Sequence, residues 1–153
     1  MESDSMNVII RQATSSDITN WLEMRSQLWP PDADDDFTAE VEYILGAPDQ
    51  TAFVALVDAV YTGFAEISIR AYADGCRTNN VGYLEGIFVK PGFRRKGISR
   101  LLVSKCMEWF EAQGCTEMAS DAEIGNEISI KMHEALGFQS LKPVIQFARM
   151  LKS

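Results

Sequence analysis

The feature that most constrains this fold is a strand that runs through a glycine-containing turn into a long helix. Residues 81–89 are rich in β-branched and aromatic side chains, which predicts a strand. Residues 97–113 place apolar side chains at helical spacing and are followed by Gly114, which predicts an amphipathic helix that ends there. The intervening turn therefore opens the best-defined helix of the chain.

The remaining patterns complete a mixed α/β domain. Asp58-Ala59 predicts a tight turn that makes a hairpin of the strands on either side of it. Gly82 and Gly86 interrupt the strand at 81–89 and indicate a bulge or a close backbone approach. Helices are predicted at residues 17–28, 37–45 and 126–136, the last capped by Asn126, and further strands at residues 8–12, 51–57, 60–69, 116–120, 138–141 and 144–150.

Length, charge and cysteine content narrow the functional classes. The 153 residues predict a single domain spanning 1–153, in which residues 1–5 are an N-terminal extension because Met6 can itself begin the fold. The net charge of −8 argues against nucleic acid as a partner. No apolar run approaches the roughly 20 residues of a membrane helix, so no membrane partner is expected. The three widely spaced cysteines suggest neither a disulfide nor a zinc framework, which favours a reduced, cytoplasmic compartment.

Basic residues cluster around the turn that opens the long helix. Free N–H groups and the positive end of a helix dipole make such a junction an anion site, and Gly97 lets an anion approach the backbone closely. We expect a multiply phosphorylated ligand, although solvated cations at a helix start account for the cluster equally well. A P-loop is disfavoured because Ile98 stands where its lysine must be. The basic residues are Lys90, Arg94, Arg95, Lys96 and Arg100.

Two segments resemble the GCN5-related N-acetyltransferase (GNAT) superfamily. The run Arg94-Arg95-Lys96-Gly97-Ile98-Ser99 is similar to its pyrophosphate turn, with Ser99 in place of a final glycine or alanine. The run Asn126-x-x-Ser129-x-x-x-His133-x-x-x-Gly137-Phe138 resembles its second coenzyme-contacting helix, in which a tyrosine often replaces His133. The resemblance implies a GNAT fold of the α/β (α+β) class, with a mixed central sheet of six to seven strands, about four flanking helices and a splay near the acetyl site.

The same resemblance implies direct acetyl transfer from acetyl-coenzyme A, with no metal and no covalent enzyme intermediate. The N–H groups of residues 95–99 would hold the pyrophosphate, and the pantetheine arm would pair with the edge of residues 86–89. A backbone N–H near Phe88 or Val89 would polarise the thioester carbonyl. Cys106 and Cys115 are then expected in the core. The implied cofactor-binding residues are Ile87, Phe88, Val89, Arg94, Arg95, Lys96, Gly97, Ile98, Ser99, Asn126 and Ser129.

Nearly the whole chain from about Met6 resembles the aminoglycoside 6′-N-acetyltransferases, which confer antibiotic resistance. The strings WLEMRSQLWP, SIR, LEGIFV and MASD carry this resemblance. It implies a catalytic carboxylate at Asp121, and Glu85 is a second candidate to bind or deprotonate the amine. His133 is a candidate proton donor to the thiolate, although a lone helical histidine is more often structural. The expected substrate-binding residues are Trp21, Trp29, Asp32, Asp35, Tyr72, Glu85 and Asp121.

Two other functions stay open at this point. The same fold could act on another cationic amine, such as a polyamine or a protein N-terminus. It could also serve as a non-catalytic acyl-coenzyme A sensor, although the presence of Glu85 and Asp121 near the expected reaction centre argues against this. The apolar segment 144–150 could complete a partner's sheet, and related enzymes are often dimers, so we expect a homodimer.

Overall fold

The computed structural model describes residues 7–152, which form two compact units, one reaching to Asp121 and the other beginning at Ala122. The expected extension at residues 1–5 lies outside the described residues, and the single domain over 1–153 stays a prediction. Within residues 7–152, no helix combines the length and the apolar character that crossing a bilayer requires.

The first unit is built on a five-stranded mixed sheet. Its spatial order is the chain order, with three antiparallel pairings followed by a parallel pairing of the last two strands. The strands are β1 (Val8–Gln12), β2 (Gln50–Val57), β3 (Val60–Arg70), β4 (Val81–Val89) and β5 (Glu117–Ser120). The helices of this unit are α1 (Ile18–Leu28), α2 (Phe37–Gly46) and α3 (Ile98–Ala112).

The predicted hairpin is confirmed. Asp58 and Ala59 join β2 to β3, and both have positive φ, +50° and +68°. Two left-handed residues in a two-residue loop match the right-handed twist of the strands that they connect. The turn therefore fixes the register in which Val57 pairs with Val60.

Because of a bulge in β4, its two glycines lie against different helices. Glu66 of β3 pairs with Gly86 and Ile67 pairs with Leu84, so Glu85 is the extra residue. One extra residue reverses the alternation of side chains along a strand. A Cβ on Gly82 would meet the ring of Phe110 in α3 at 2.6 Å, whereas a Cβ on Gly86 would meet Trp29, beside α1, at 2.4 Å.

The core lies on both sides of this sheet. Trp21 and Met24 of α1 and Val41 of α2 pack with Phe64 and Phe88. Helix α3 buries Ile98, Leu102, Val103, Cys106 and Phe110. Of the apolar stripe that the sequence predicted, Leu101 is exposed and Trp109 is half-buried, whereas Val103 joins the core instead. Cys115 is also buried, so both cysteines expected in the core are found there.

A buried carboxylate anchors the start of α1. Asp17, which the sequence offered as the first residue or the cap of this helix, is its N-cap and also ends a short 3-10 turn at Ser15–Asp17. Arg11 donates two hydrogen bonds to it, at 2.7 and 2.8 Å, and Tyr61 donates another. Burial acts to raise the pKa of Asp17, but these donors outweigh it and lower the pKa to about 2.

The two strands predicted at the end of the chain are wrong. The second unit contains helix α4 (Glu127–Ala135), and residues 138–152 carry neither helix nor strand. The sheet of the described residues therefore has five strands instead of six or seven. The apolar pattern of residues 144–150 suits a strand, but β structure also requires a neighbouring strand that satisfies its backbone groups.

Candidate active site

The sheet splays between β4 and β5. The parallel ladder of these strands ends where Leu84 pairs with Ser120, whereas the ladder between β3 and β4 continues to the pair Gly63 and Val89. From Glu85 onward, the edge of β4 that faces β5 therefore lies outside the β4–β5 ladder. This opening lies where the resemblance places the pantetheine arm and the thioester, at residues 86–89.

The turn before α3 has the geometry of an anion site. Gly97 caps the helix in the left-handed conformation, with φ +83°, and apart from its neighbours in the chain no atom lies within 4 Å of the position that a Cβ would take. No side chain caps the first turn of α3, and that turn carries no acidic residue. Its N–H groups, together with the helix dipole, fit a phosphate. Ile98 is buried, so its side chain anchors the helix while its backbone stays in the turn.

The basic side chains of the turn differ in what they contact. The Nε of Arg94 donates to the carbonyl oxygen of Val89 at 2.7 Å, which ties the turn to the end of β4. Lys90 lies 3.6 Å from the carboxylate of Glu23 in α1. Arg95 has a positive φ of +63°, and both Arg95 and Lys96 are exposed. The turn thus combines a braced backbone with exposed cations.

An acidic cleft opens beside α1, α2 and the middle of the sheet. Its volume is about 770 Å³, and its lining includes Trp29 and Asp35, two of the expected substrate-binding residues. Asp32 does not line it, although its backbone N–H donates to the carboxylate of Asp35 at 2.6 Å. Such a cleft suits a ligand with several positive charges. Its acidic lining residues are Asp34, Asp35, Asp36, Glu40, Glu66 and Glu85.

Glu66 is a cleft residue that the sequence interpretation missed. Its carboxylate accepts hydrogen bonds from Arg25 at 2.7 and 3.0 Å and from the indole of Trp21 at 2.8 Å. Arg25 also donates to Glu40 and lies over the rings of Trp29 and Phe37. The sequence did carry a sign of this contact: Glu66 is the single acidic residue in the apolar strand β3. A charge at such a position needs a partner, because an unpaired buried charge is costly.

Glu85 is held by two neighbours on β3. Arg70 pairs with it through two hydrogen bonds of 2.7 and 3.0 Å, and the hydroxyl of Ser68 also donates to it. Residues 66, 68 and 70 lie on the same face of β3, because side chains alternate between the two faces of a strand. The bulge places the Glu85 side chain on that face. Glu85 therefore lines the cleft as one member of an ion pair with Arg70.

Asp121 follows directly after β5, at the point where the strands separate. It is exposed, and one carboxylate oxygen accepts a hydrogen bond from the hydroxyl of Tyr83. Arg70 lies 3.5 Å from the centroid of the Tyr83 ring, so Asp121 and Glu85 belong to one connected group. Burial, and then the hydrogen bond to Asp121, raise the pKa of Tyr83 well above its usual range. The sequence interpretation missed Tyr83.

Two expected substrate-binding aromatics are placed differently. Trp21 is fully buried, and its indole N–H donates a hydrogen bond to Glu66. The expectation that its ring offers a face to the substrate is therefore wrong. Tyr72 is exposed in the loop after β3, donates to Asp74 and does not line the acidic cleft. Trp29 alone among the three aromatics borders the cleft, because the absence of a side chain at Gly86 makes room for its ring.

The second unit contains the remaining predicted residues. The side chain of Asn126 accepts from the N–H of Ser129 at 3.1 Å, which confirms it as the cap of α4. His133 Nδ1 lies 2.7 Å from the carbonyl oxygen of Ser129, and its ring packs on Phe138. Because a carbonyl only accepts, Nδ1 carries a proton. A coenzyme-binding role for Asn126 and Ser129 and a proton-donor role for His133 stay predictions.

Comparison with known proteins identifies relatives along nearly the whole chain. The family model described as Acetyltransferase (GNAT) family matches residues 16–138. An "Aminoglycoside N(6′)-acetyltransferase type 1" of Salmonella enteritidis is 43% identical over 141 residues, which are 92% of this chain and 97% of that protein.

Solved structures agree with this match. The aminoglycoside N-acetyltransferase AAC(6′)-Iy in complex with CoA superposes with a TM-score of 0.91 and 40% identity, covering 97% of this chain and 99% of that one. AAC(6′)-Iy in complex with the bisubstrate analogue CoA-S-monomethyl-acetylneamine superposes with a TM-score of 0.90 and 41% identity, covering 94% and 99%.

Proposed function

The chain belongs to the acetyltransferase (GNAT) family, and we propose that it transfers the acetyl group of acetyl-coenzyme A to the 6′-amine of an aminoglycoside, conferring antibiotic resistance. The observation that carries the proposal is the acidic cleft, whose lining reaches β4 at Glu85, directly after the last residue of the β4–β5 ladder. A thioester carbonyl on the edge of β4 beyond that ladder and a polycation in that cleft would bring acceptor and donor together.

Acetyl-coenzyme A fits the residues that surround the splay. The N–H groups of the turn at residues 95–99 would hold its pyrophosphate, and the exposed cations Arg95 and Lys96 would neutralise phosphate charge. The edge of Ile87–Val89 would pair with the pantetheine amides as an additional strand. When bound, the coenzyme supplies the acetyl group as an activated thioester. The described residues 7–152 contain no cluster of side chains suited to a metal ion.

The acceptor is proposed from charge and from the relatives. An aminoglycoside carries several ammonium groups at neutral pH, and the cleft offers six carboxylates to them. Three of these are already paired, Glu66 and Glu40 with Arg25 and Glu85 with Arg70. The exposed acids near the start of α2, Asp34 to Asp36, would therefore contribute most to the attraction of a polycation.

The reaction is proposed as direct attack within a ternary complex. The acceptor arrives as an ammonium ion, and Asp121 accepts a proton from it, directly or through one water, while Glu85 helps to hold it. The free amine nitrogen then attacks the carbonyl carbon, and a backbone N–H near Phe88 or Val89 stabilises the developing oxyanion. The nitrogen then loses its second proton to solvent, the C–S bond breaks to leave the amide, and the thiolate takes a proton from His133 or from solvent.

An acceptor panel tests this function. Purified protein is mixed with acetyl-coenzyme A and kanamycin or tobramycin, and thiol release is measured. An aminoglycoside with a hydroxyl group at the 6′ position is the matched control and is expected to give no signal above background. Turnover with spermidine or a peptide N-terminus but not with tobramycin would reassign the acceptor. Coenzyme binding without turnover on any amine would leave only a sensor.

A cytoplasmic homodimer is part of the proposal. Three free cysteines fit a reducing compartment. Large apolar side chains near the end of the chain are strongly exposed, including Ile145, Phe147 and Leu151, and a second subunit could cover them. Light scattering on the purified protein is expected to give twice the chain mass of 17.1 kDa. A monomer at micromolar concentration would refute the dimer.

A further inference from the structure

The hydrogen bond between Tyr83 and Asp121 connects a rigid part of the protein to an exposed one. The ring of Tyr83 is buried and packs with Ala73 and Val81, and Ala119 of β5 contacts the same cluster. Its hydroxyl donates to Oδ2 of Asp121. Because burial raises the pKa of this hydroxyl, it remains a proton donor throughout the pH range in which an acetyltransferase works.

Asp121 needs such a restraint because of its place in the chain. It is exposed and follows the last residue of the β4–β5 ladder, so the sheet does not fix its side chain. The hydrogen bond to Oδ2 limits rotation of the carboxylate and sets the direction of the Oδ1 lone pairs, which can still accept a proton. A proton acceptor must lie within hydrogen-bond reach of the proton that it takes, so this orientation bears directly on proton transfer.

Arg70 fixes the other side of the tyrosine. Its guanidinium lies 3.5 Å from the centroid of the Tyr83 ring and pairs with Glu85 through two hydrogen bonds. The ring is therefore confined between the core and a cation that is itself held by a second carboxylate. The spacing between Asp121 and Glu85 is set through Tyr83 and Arg70.

We propose that Tyr83 is a positioning residue for acetyl transfer, which holds Asp121 in the orientation in which its carboxylate meets the acceptor amine. This inference rests on the proposed function, because it assigns the hydrogen bond a role in that reaction. Because the Tyr83 ring is buried and its hydroxyl is engaged by Asp121, its effect on the reaction runs through Asp121.

A double-mutant cycle tests the inference with kinetics. Tyr83→Phe removes only the hydroxyl and is expected to lower kcat by about 10- to 100-fold, as small misplacements of catalytic groups do, with the KM for acetyl-coenzyme A unchanged. In the Asp121→Asn background the same substitution is expected to have no further effect, because its route of action is already removed. Losses that multiply in the double variant, or an unchanged kcat in Tyr83→Phe, overturn the proposal.

The chain offers a matched control for the loss of a tyrosine hydroxyl. Tyr61 also donates to a carboxylate, that of the buried Asp17, and it lies outside the acidic cleft lining. Tyr61→Phe is expected to lower Tm while kcat stays that of the wild type. An equal loss of kcat in both variants would show a general structural effect and overturn the positioning role.

A measurement without acceptor keeps the inference testable if Tyr83→Phe folds poorly. With ¹³C-labelled tyrosine, NMR at neutral pH follows the Cζ chemical shift of Tyr83, which is expected to change in Asp121→Asn because the hydroxyl loses a charged hydrogen-bond acceptor. An identical Cζ shift in the two proteins overturns the contact on which the proposal depends. If the wild type acetylates no amine, the proposed function fails and the positioning role fails with it. An active wild type with an unchanged Tyr83→Phe variant refutes the positioning role alone.

Discussion

Replacement of Glu66 by glutamine removes the buried counter-charge of Arg25 and leaves it only the half-exposed carboxylate of Glu40. The side chains of Glu66 and Arg25 are only 4% and 7% exposed, so water does not screen their interaction. Glu66→Gln keeps an oxygen for the Trp21 N–H but removes the charge that holds two donors of Arg25. Removal of one partner of a buried pair costs about 3–5 kcal/mol. For a chain of this length, that cost lowers Tm by roughly 10 °C.

Chemical denaturation of three variants measures this effect. Glu40→Gln is the control, because Glu40 pairs with the same arginine but is 47% exposed, and it should cost less than about 1 kcal/mol. The double variant Arg25→Met with Glu66→Gln removes both charges and should be more stable than Glu66→Gln alone. Equal losses in free energy of unfolding for Glu66→Gln and Glu40→Gln would refute the argument from burial.

Three further substitutions test the site and the fold. Asp121→Asn is expected to lower kcat by about 100-fold or more with the Kd for acetyl-coenzyme A unchanged in calorimetry, and a wild-type kcat would remove it as proton acceptor. Gly86→Ala places a Cβ 2.4 Å from the ring of Trp29 and should cost about 1–3 kcal/mol and raise the KM for the acceptor, whereas Gly46→Ala, with nothing within 4 Å, should do neither. The pKa of about 2 at Asp17 lies below the unfolded value of about 3.9, so its contribution of about 2 kcal/mol is present above pH 4 and is lost as pH falls toward 2. Urea denaturation at pH 6 and pH 3 should therefore give a smaller difference in the free energy of unfolding for Asp17→Asn than for the wild type. A difference as large as that of the wild type would contradict the assignment.

The sequence determined the local elements, because these depend on neighbouring residues. The turn at Asp58 and Ala59, the buried stripe of α3 and the Asn126 cap of α4 were each visible within a few positions. The motif at residues 94–99 predicted an anion site, and Gly97 has the left-handed conformation that suits such a turn. Local hydrogen bonds and helical periodicity suffice for such features.

Only the tertiary structure decided which residues meet across the sheet. The Glu85 bulge, the contact of Tyr83 with Asp121 and the burial of Glu66 under Arg25 each join residues that are far apart in the chain. Strand pairing sets these contacts, and pairing is not encoded in the pattern of one strand. The same reason explains the errors at residues 138–141 and 144–150, where an apolar pattern indicated strands but no pairing follows in the described chain. The sequence thus predicted which residue types the site would use, while the register of β3, β4 and β5 placed Glu66, Glu85 and Asp121.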